Sequence, residues 1–239
     1  MFNKQFIITT NKLTLGMVVF VLFILMGCSP KENSLNKTEP IVSVENTSQP
    51  PEKSSSKILS DLANQEFSIE EDQIIAAPKT IKTFGEAFVN LYTGAVAEQE
   101  TVSFKNYISN ENLLKFTNKM LELEQKKELK GGIGVIFGLE NEFMDVEFKK
   151  WDENLYYLSL PFSNQGSTRR CEMLVQSENK SLKIVDVYFG NKDGVDTIVT
   201  GHPAVRKVDN PKLWHEQKWV NAVFEKLEKY ETELLSIQD

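Results

Sequence analysis

Two pairs of charged residues in alternating stretches are the first candidates for chemistry in this chain. Asp145 and Glu147 are two residues apart, as are Arg170 and Glu172, so each pair shares one face of a predicted strand. A carboxylate pair in a pocket can act in general acid–base catalysis when burial raises one of the two pKa values. The polar face of a sheet can equally face solvent. The four residues are therefore candidate pocket residues, and a solvated sheet face is the alternative.

The remaining reactive side chains form no recognisable catalytic or metal-binding motif. His202 and His215 are the only histidines, and their spacing matches no two-histidine metal motif. Cys171 lies in a stretch of alternating polar and apolar residues, which predicts a small buried side chain. No catalytic residue, metal or cofactor is predicted, and a non-enzyme is favoured over an enzyme. Trp151, Trp214 and Trp219 are candidate surface anchors for a partner.

A glycine-rich stretch, 131–138, precedes the first predicted strand. It lacks the Gly-Lys-Ser/Thr ending of a phosphate-binding loop and no helix follows it. The stretch predicts a flexible loop. Its apolar residues Ile133, Val135 and Phe137 are candidates for a lid over a pocket, with a place in the core as the alternative.

An apolar run near the N-terminus ends in the sequence Leu25-Met26-Gly27-Cys28. A basic flank, Lys4 and Lys12, precedes the run. This arrangement resembles the bacterial lipoprotein signal. The resemblance implies cleavage before Cys28 and attachment of diacylglycerol to its thiol, with the protein anchored by its acyl chains, palmitate among them, on the extracytoplasmic face of the cell membrane. An uncleaved anchor needs about 20 apolar residues, and the run over 13–26 is shorter. An ordinary secretory signal is the other alternative.

The charge of the chain excludes one class of partner. It carries 27 basic and 34 acidic residues, for a net charge of −7. Binding to nucleic acid needs basic patches that neutralise phosphates. We therefore expect no nucleic-acid partner, and attachment to the membrane through lipid at Cys28 rather than through charge.

The sequence predicts three regions. Residues 1–27 form the signal peptide, residues 28–76 a disordered tether, and residues 77–239 the folded domain. The stretch from Ser29 to about Lys57 is rich in Ser, Asn, Lys, Glu and Pro and has no apolar periodicity, which is typical of a linker. A weak helix over 57–64 is the one element expected inside the tether.

The folded domain begins with two predicted helices and ends with a third. The first helix follows Pro78, and its apolar stripe consists of Ile81, Phe84, Phe88, Leu91, Tyr92 and Ala95. The second helix is predicted to begin at Ser109 as its N-cap and to stop at Gly131-Gly132. Its apolar stripe consists of Leu113, Phe116, Met120 and Leu123. A long amphipathic helix is predicted from Pro211. Its stripe consists of Leu213, Val220, Val223, Phe224, Leu227, Tyr230 and Leu234.

Four strands with short turns are predicted between the second and the last helix. Apolar residues alternate with polar ones in four stretches, 144–149, 156–162, 171–175 and 183–189. The turns fall at 152–154, 164–167 and 178–180. A fifth short strand is possible over 196–200. The order of elements predicts an α+β fold, in which N-terminal helices pack on a curved antiparallel sheet of four to five strands and a C-terminal helix is added.

The pattern resembles the nuclear-transport-factor-2-like (cystatin-like cone) superfamily over about Thr80 to Val199. The residues that carry the resemblance are the aromatic-rich run 84–92, Tyr107-Ile108-Ser109 and the late strand 182–188. The resemblance implies a sheet that wraps a long helix and leaves a cone-shaped cavity. Its members include enzymes, binding proteins, lipoproteins and parts of transfer channels, so the fold does not select a function.

Two classes of function follow. The first is a surface lipoprotein whose domain binds a small ligand, a peptide or a protein partner. The second is an enzyme or inhibitor that uses a cone-shaped cavity, and a component of a conjugation or secretion assembly is a further alternative. Titratable residues at the bottom of a pocket would favour the enzyme, and an exposed apolar surface would favour a binding protein.

Overall fold

Five α-helices and a five-stranded antiparallel sheet form the described part of the chain. The computed structural model describes residues 54–69, 77–129, 138 and 141–236, all within the unit 49–239. The helices are α1 Ser55–Ala63, α2 Ala77–Glu98, α3 Glu111–Leu129, α4 Val195–Thr200 and α5 Gln217–Ser236. The strands are β1 Glu142–Phe143, β2 Glu147–Lys150, β3 Leu155–Asn164, β4 Ser167–Glu178 and β5 Ser181–Tyr188. The predicted α+β class is confirmed, as is the additional C-terminal helix.

The sheet is a meander built on two long hairpins. β3 pairs with β4 on one side and with both β1 and β2 on the other, and β5 pairs with β4. The β3–β4 turn has positive φ at Gln165 and Gly166, and the β4–β5 turn has positive φ at Asn179 and Lys180. A two-residue turn with positive φ at both positions has a backbone twist that matches the right-handed twist of the strands it connects. Both turns fall where the sequence predicts them.

The main core lies between α2 and one face of the sheet, here called the inner face. The predicted stripe of α2 is buried, including Phe84, Phe88 and Leu91. Gly85 lies directly against the sheet, since a Cβ atom added there would lie 2.4 Å from Leu158 Cδ2 and 2.7 Å from Leu160 Cδ1. The helix therefore lies so close to the sheet that any side chain at position 85 would displace these two leucines.

The packed domain extends further toward the N-terminus than residue 77. Helix α1 packs on α2, and its Leu59 is only 2% exposed. The Phe67 ring contacts the Phe84 ring edge-on at 5.3 Å, and Ser68 pairs with Ser181 next to the edge of β5. Residues 55–69 thus belong to the fold and not to the tether. The sequence gives little sign of this because these few apolar residues find their partners only in the tertiary structure.

Helix α3 has the predicted buried stripe but a different cap. Leu113, Phe116, Met120 and Leu123 are all buried. The Asn110 side chain, not that of Ser109, accepts hydrogen bonds from the backbone N–H groups of residues 112 and 113. Asn110 is therefore the N-cap residue.

Three details of the predicted strands are wrong. Met144 is exposed and precedes β2, which begins only at Glu147. A register shift in the β4–β5 pairing places Val185 on the face opposite Val187. The segment 195–200 is helix α4 rather than a strand, because Asp196 accepts backbone hydrogen bonds from residues 189, 190 and 197 and so fixes a tight turn there. The fifth strand of the sheet is instead β1.

The C-terminal helix begins later than Pro211 predicts. A short 3-10 helix, Leu213–His215, comes first, and α5 begins at Gln217. Helix α5 docks on α3 and α4 through Val220, Val223 and Leu227, whereas Phe224 on its flank is half-buried. None of the helices in the described segments is long and apolar enough to cross a bilayer. The apolar run ending at Cys28, the tether up to residue 53 and the candidate lid residues all lie outside the described residues.

Candidate functional site

The four predicted pocket residues lie on the outer face of the sheet, opposite α2, or beside it. Strand register places Glu147 opposite Ser159, Ser159 opposite Glu172 and Glu172 opposite Tyr188, so these residues form one row across the sheet. Arg170 lies on the same face of β4 and is exposed. Asp145 precedes β2 and is also exposed. The interior of the domain between α2 and the sheet therefore does not contain the four predicted pocket residues.

The electrostatics of Glu147 argue against a role as general acid. Its carboxylate lies 2.7 Å from the Lys149 Nζ, and the hydrogen bond from Lys149 lowers the pKa of Glu147. A general acid needs a raised pKa, which requires burial or a neighbouring negative charge. Glu147 is exposed and paired with a cation, so it is ionised at neutral pH and suited to contacts with a partner.

Exposed aromatic side chains lie beside these charges. The Trp151 ring is 43% exposed and stacks on the Tyr157 ring, with centroids 5.9 Å apart and planes 14° apart. The Lys149 Nζ lies 5.7 Å from the centroid of the same Tyr157 ring. Burial raises the pKa of Tyr157 to about 12, and the Glu172 carboxylate adds to the effect. The tyrosine is therefore protonated and available as a hydrogen-bond donor.

We call these residues together the outer-face patch. Its members are Glu147, Lys149, Trp151, Tyr157, Arg170 and Glu172. It combines a large exposed ring with charges of both signs on neighbouring strands. Of the three tryptophans, Trp151 lies on this surface, while Trp214 is wholly buried and Trp219 is half-buried. The sequence could have placed Tyr157 on this surface. Its neighbours Tyr156 and Leu158 are on the inner face, and side chains alternate between the two faces along β3.

The interior holds a second group of titratable side chains. Burial raises the pKa of Glu124 on α3 and raises those of Tyr92 and Cys171 well above their ordinary values. Arg169, half-buried near Glu124, has its pKa lowered to about 10 by burial. The Cys171 thiol is thus protonated and unreactive, as expected for the buried side chain that its sequence context predicts.

The buried carboxylates in this interior serve the fold. Asp196 accepts hydrogen bonds from the backbone N–H groups of Phe189, Gly190 and Thr197 at 2.6, 2.9 and 2.8 Å. The Val195 N–H donates to Glu124 Oε1 at 3.0 Å. Carboxylates that accept backbone hydrogen bonds fix the start of α4 against α3, which gives both side chains a structural reason for their position.

A chain of amide side chains links α2 to β3. Asn141 donates to Asn90 Oδ1 and to Thr93 Oγ1, each at 2.7 Å, and Asn164 donates to Asn141 Oδ1 at 2.7 Å. Asn164 also accepts from the Gly138 N–H at 2.6 Å. These hydrogen bonds fix the chain where it enters β1.

The two histidines are not part of a common site. His202 lies in a turn, where its Nδ1 accepts a hydrogen bond from the Ala204 N–H. The Nε2 of His215 lies 3.1 Å from the Asn110 amide nitrogen. Within the described segments, no group of three or more His, Cys, Asp or Glu side chains could hold a metal ion.

A buried ion pair, Asp186–Arg206, is the feature that sequence reasoning missed. Its members are 20 residues apart, and Trp214 joins them from the 3-10 helix. Asp186 gave no signal because it occupies a polar position in an alternating strand, the ordinary pattern for a solvated side chain.

No protein-family model, no curated protein and no solved structure matches this chain. The resemblance to the cystatin-like cone superfamily and the resemblance to lipoprotein signals therefore stay predictions.

Proposed function

We propose that the protein is a membrane-anchored surface lipoprotein whose folded domain binds a protein partner through the outer-face patch. The observation that carries the binding role is the exposed Trp151 ring, stacked on Tyr157 and surrounded by charges. Tryptophan and tyrosine supply much of the binding energy in protein interfaces, and charged residues at the rim supply specificity. The anchoring role rests on the sequence that ends at Cys28.

The charges around the patch indicate the chemistry of the partner. Asp145, Asp152 and Glu153 are exposed beside the patch, in addition to its own two glutamates. They outnumber the exposed cations of this region, Lys149, Lys150 and Arg170, and the whole chain carries −7. The partner that fits is a protein surface rich in lysine and arginine, and its association should weaken as salt screens the charges.

Photo-crosslinking in living cells tests the binding role. A photoreactive phenylalanine derivative at position 151, which keeps an aromatic ring in the place of Trp151, should give discrete protein adducts. The same residue at exposed position 225 on α5 should give none. Tyr157→Leu, which removes the stacked ring, should reduce the yield of adducts at position 151, as should added salt. Equal adducts at both positions, or no adducts at position 151, would contradict the proposal.

An enzyme that uses the interior is the second candidate, and Glu124 is the observation in its favour. Burial raises the pKa of its carboxyl and outweighs the opposing effects of Arg169 and Lys127, which lower it. A proton donor of this kind suits general acid catalysis. Glu124→Gln would abolish such an activity but should leave the crosslinking at position 151 unchanged, so the two functions can be separated. Adducts with a large multi-subunit complex would favour the alternative of an assembly component.

A further inference from the structure

A twelve-residue segment, 201–212, crosses part of the outer face and is here called the strap. It connects α4 to the 3-10 helix. Val208 packs on Leu174, Val185 and Tyr188, a small apolar cluster on the outer face that Tyr157 of the patch also contacts. The strap therefore covers apolar surface that is continuous with the outer-face patch.

The strap makes few buried contacts of its own. Between Gly201 and Lys212 only the side chains of Arg206 and Val208 are buried. Val205 is 79% exposed, and its neighbours His202 and Lys207 also face solvent. A pocket of about 340 Å³ is lined by residues of the strap together with Leu213 and Trp219. Segments with so few buried contacts open at low free-energy cost.

One ion pair fixes the strap to the sheet. The Arg206 guanidinium donates to Asp186 Oδ1 at 2.5 Å and to the carbonyl oxygen of Lys207. Its Cζ lies 5.7 Å from the ring centroids of both Tyr188 and Trp219. The same Asp186 Oδ1 accepts hydrogen bonds from the Trp214 indole N–H at 2.9 Å and from a backbone N–H at 3.0 Å.

The pair is incompletely satisfied. Asp186 Oδ2 and Arg206 Nε are buried, and neither has a hydrogen-bond partner in the described part of the chain. Burial of two charges costs desolvation energy, and a buried polar atom without a partner adds to that cost. The ion pair therefore fixes the position of the strap, although desolvation offsets much of the attraction between the two charges. Removal of Arg206 alone leaves the Asp186 carboxylate buried without a cation, which favours opening.

The backbone conformation at the start of the strap is one that glycine adopts readily. Gly201 has φ of +121°, a conformation that residues with a side chain rarely adopt. The Tyr188 hydroxyl donates to the Gly201 carbonyl oxygen at 2.8 Å and marks the point where the strap leaves α4.

We propose that the strap is a cover that opens about Gly201 without unfolding of the domain, released when the Asp186–Arg206 pair separates, and that its opening enlarges the apolar surface beside the outer-face patch. The use of this surface by a partner rests on the proposed function, but the opening itself does not. Opening exposes Leu174, Val185 and Tyr188 to solvent while the inner core stays closed.

Thiol labelling of the full-length protein in detergent measures the opening. In Val185→Cys, the introduced thiol lies under the strap, while the native Cys171 in the inner core reports unfolding of the whole domain. Peptide mass spectrometry then follows the two positions separately. We expect labelling at position 185 to be at least tenfold faster than at Cys171 and independent of urea at low concentration, because local opening exposes little surface. Equal rates at the two positions, with the same dependence on urea, would overturn the proposal.

Removal of the ion pair tests its role in the same assay. In the Val185→Cys background, Arg206→Met should accelerate labelling at position 185 at least tenfold and leave labelling of Cys171 within about twofold. Lys207→Met is the matched control, because Lys207 is the exposed neighbour of Arg206. It should change the labelling rate neither at position 185 nor at Cys171. If Arg206→Met does not fold, Val208→Cys in the wild-type background supplies a second measurement. Its thiol belongs to the strap itself and faces the cluster that the strap covers. Slow labelling of that thiol at the rate of Cys171 would also overturn the proposal. Unchanged crosslinking at position 151 would show that the proposed function stands independently of the strap.

Discussion

The docking of α5 predicts a large difference between two leucine-to-alanine substitutions on the same helix. Leu227 is 1% exposed and belongs to the main core, whereas Leu235, two turns later, is 43% exposed. Deletion of a buried leucine side chain costs about 2–5 kcal/mol, since transfer energy and cavity formation add. Leu235→Ala should stay within about 0.5 kcal/mol of the wild type, as surface substitutions usually do.

Thermal denaturation followed by circular dichroism measures both variants. One kcal/mol shifts the Tm of a domain of this size by about 2–4 °C. A loss of about 3 kcal/mol in Leu227→Ala therefore corresponds to a decrease in Tm of about 6–12 °C, against about 2 °C or less for Leu235→Ala. Equal midpoints for the two variants would show that α5 does not dock on α3 and α4, and would refute the assignment of its buried face.

Three further predictions concern the helices. Gly85→Ala should lower the Tm despite the higher helix propensity of alanine, because its methyl group meets the leucines of β3; a higher Tm would contradict the close approach of α2. Asn110→Ala should cost about 1 kcal/mol in urea denaturation because the cap of α3 is lost, and Asn110→Asp, which keeps the acceptor, is the control. The Glu231 carboxylate lies 2.7 Å from both Lys119 and Lys126, and hydrogen bonds from these lysines lower its pKa. The stabilisation by this carboxylate is therefore present above its ordinary pKa of 4.5 and is lost as the pH falls below that value. Partly exposed ion pairs of this kind are worth at most about 1 kcal/mol, so Glu231→Gln should show a small loss of stability at pH 7 that vanishes near pH 3. A loss of stability that is equal at both pH values would contradict the role of the ion pairs.

Elements with a long, regular pattern could be predicted from the sequence. Helices α2 and α3 and strands β3 and β4 have apolar residues at a single period over two or more turns or several alternations, and the residues that this period predicts to be buried are buried. Such regular patterns determine which face is buried whatever the partner is.

Elements that depend on distant contacts could be predicted only in part. The weak helix predicted over 57–64 is present as α1, but its place in the packed domain could not be predicted. Helix α1 is short and packs on α2 through Leu59 and a few neighbours, so its stability comes from α2 rather than from its own pattern. The β-branched residues of 195–200 favour a strand, but backbone hydrogen bonds to the Asp196 side chain override that preference.

The candidate site shows the same division. Alternation correctly placed Glu147, Arg170 and Glu172 on the polar face of the sheet, but it could not decide between a pocket and an outer surface. The Asp186–Arg206 pair was missed because only the folded chain brings residues 186 and 206 together. Periodicity determines which residues share a face, and tertiary contacts determine what that face contacts.

The central claim, that this protein is a lipoprotein of the membrane surface, is tested most directly at Cys28. Cells that produce the wild type or Cys28→Ala are fed an alkyne fatty acid, and the purified proteins are compared for incorporated label. Cys171→Ala is the matched control, because it removes the other cysteine of the chain and keeps the proposed lipid site. We expect label on the wild type and on Cys171→Ala, and none on Cys28→Ala. Equal labelling of the wild type and Cys28→Ala would contradict the account.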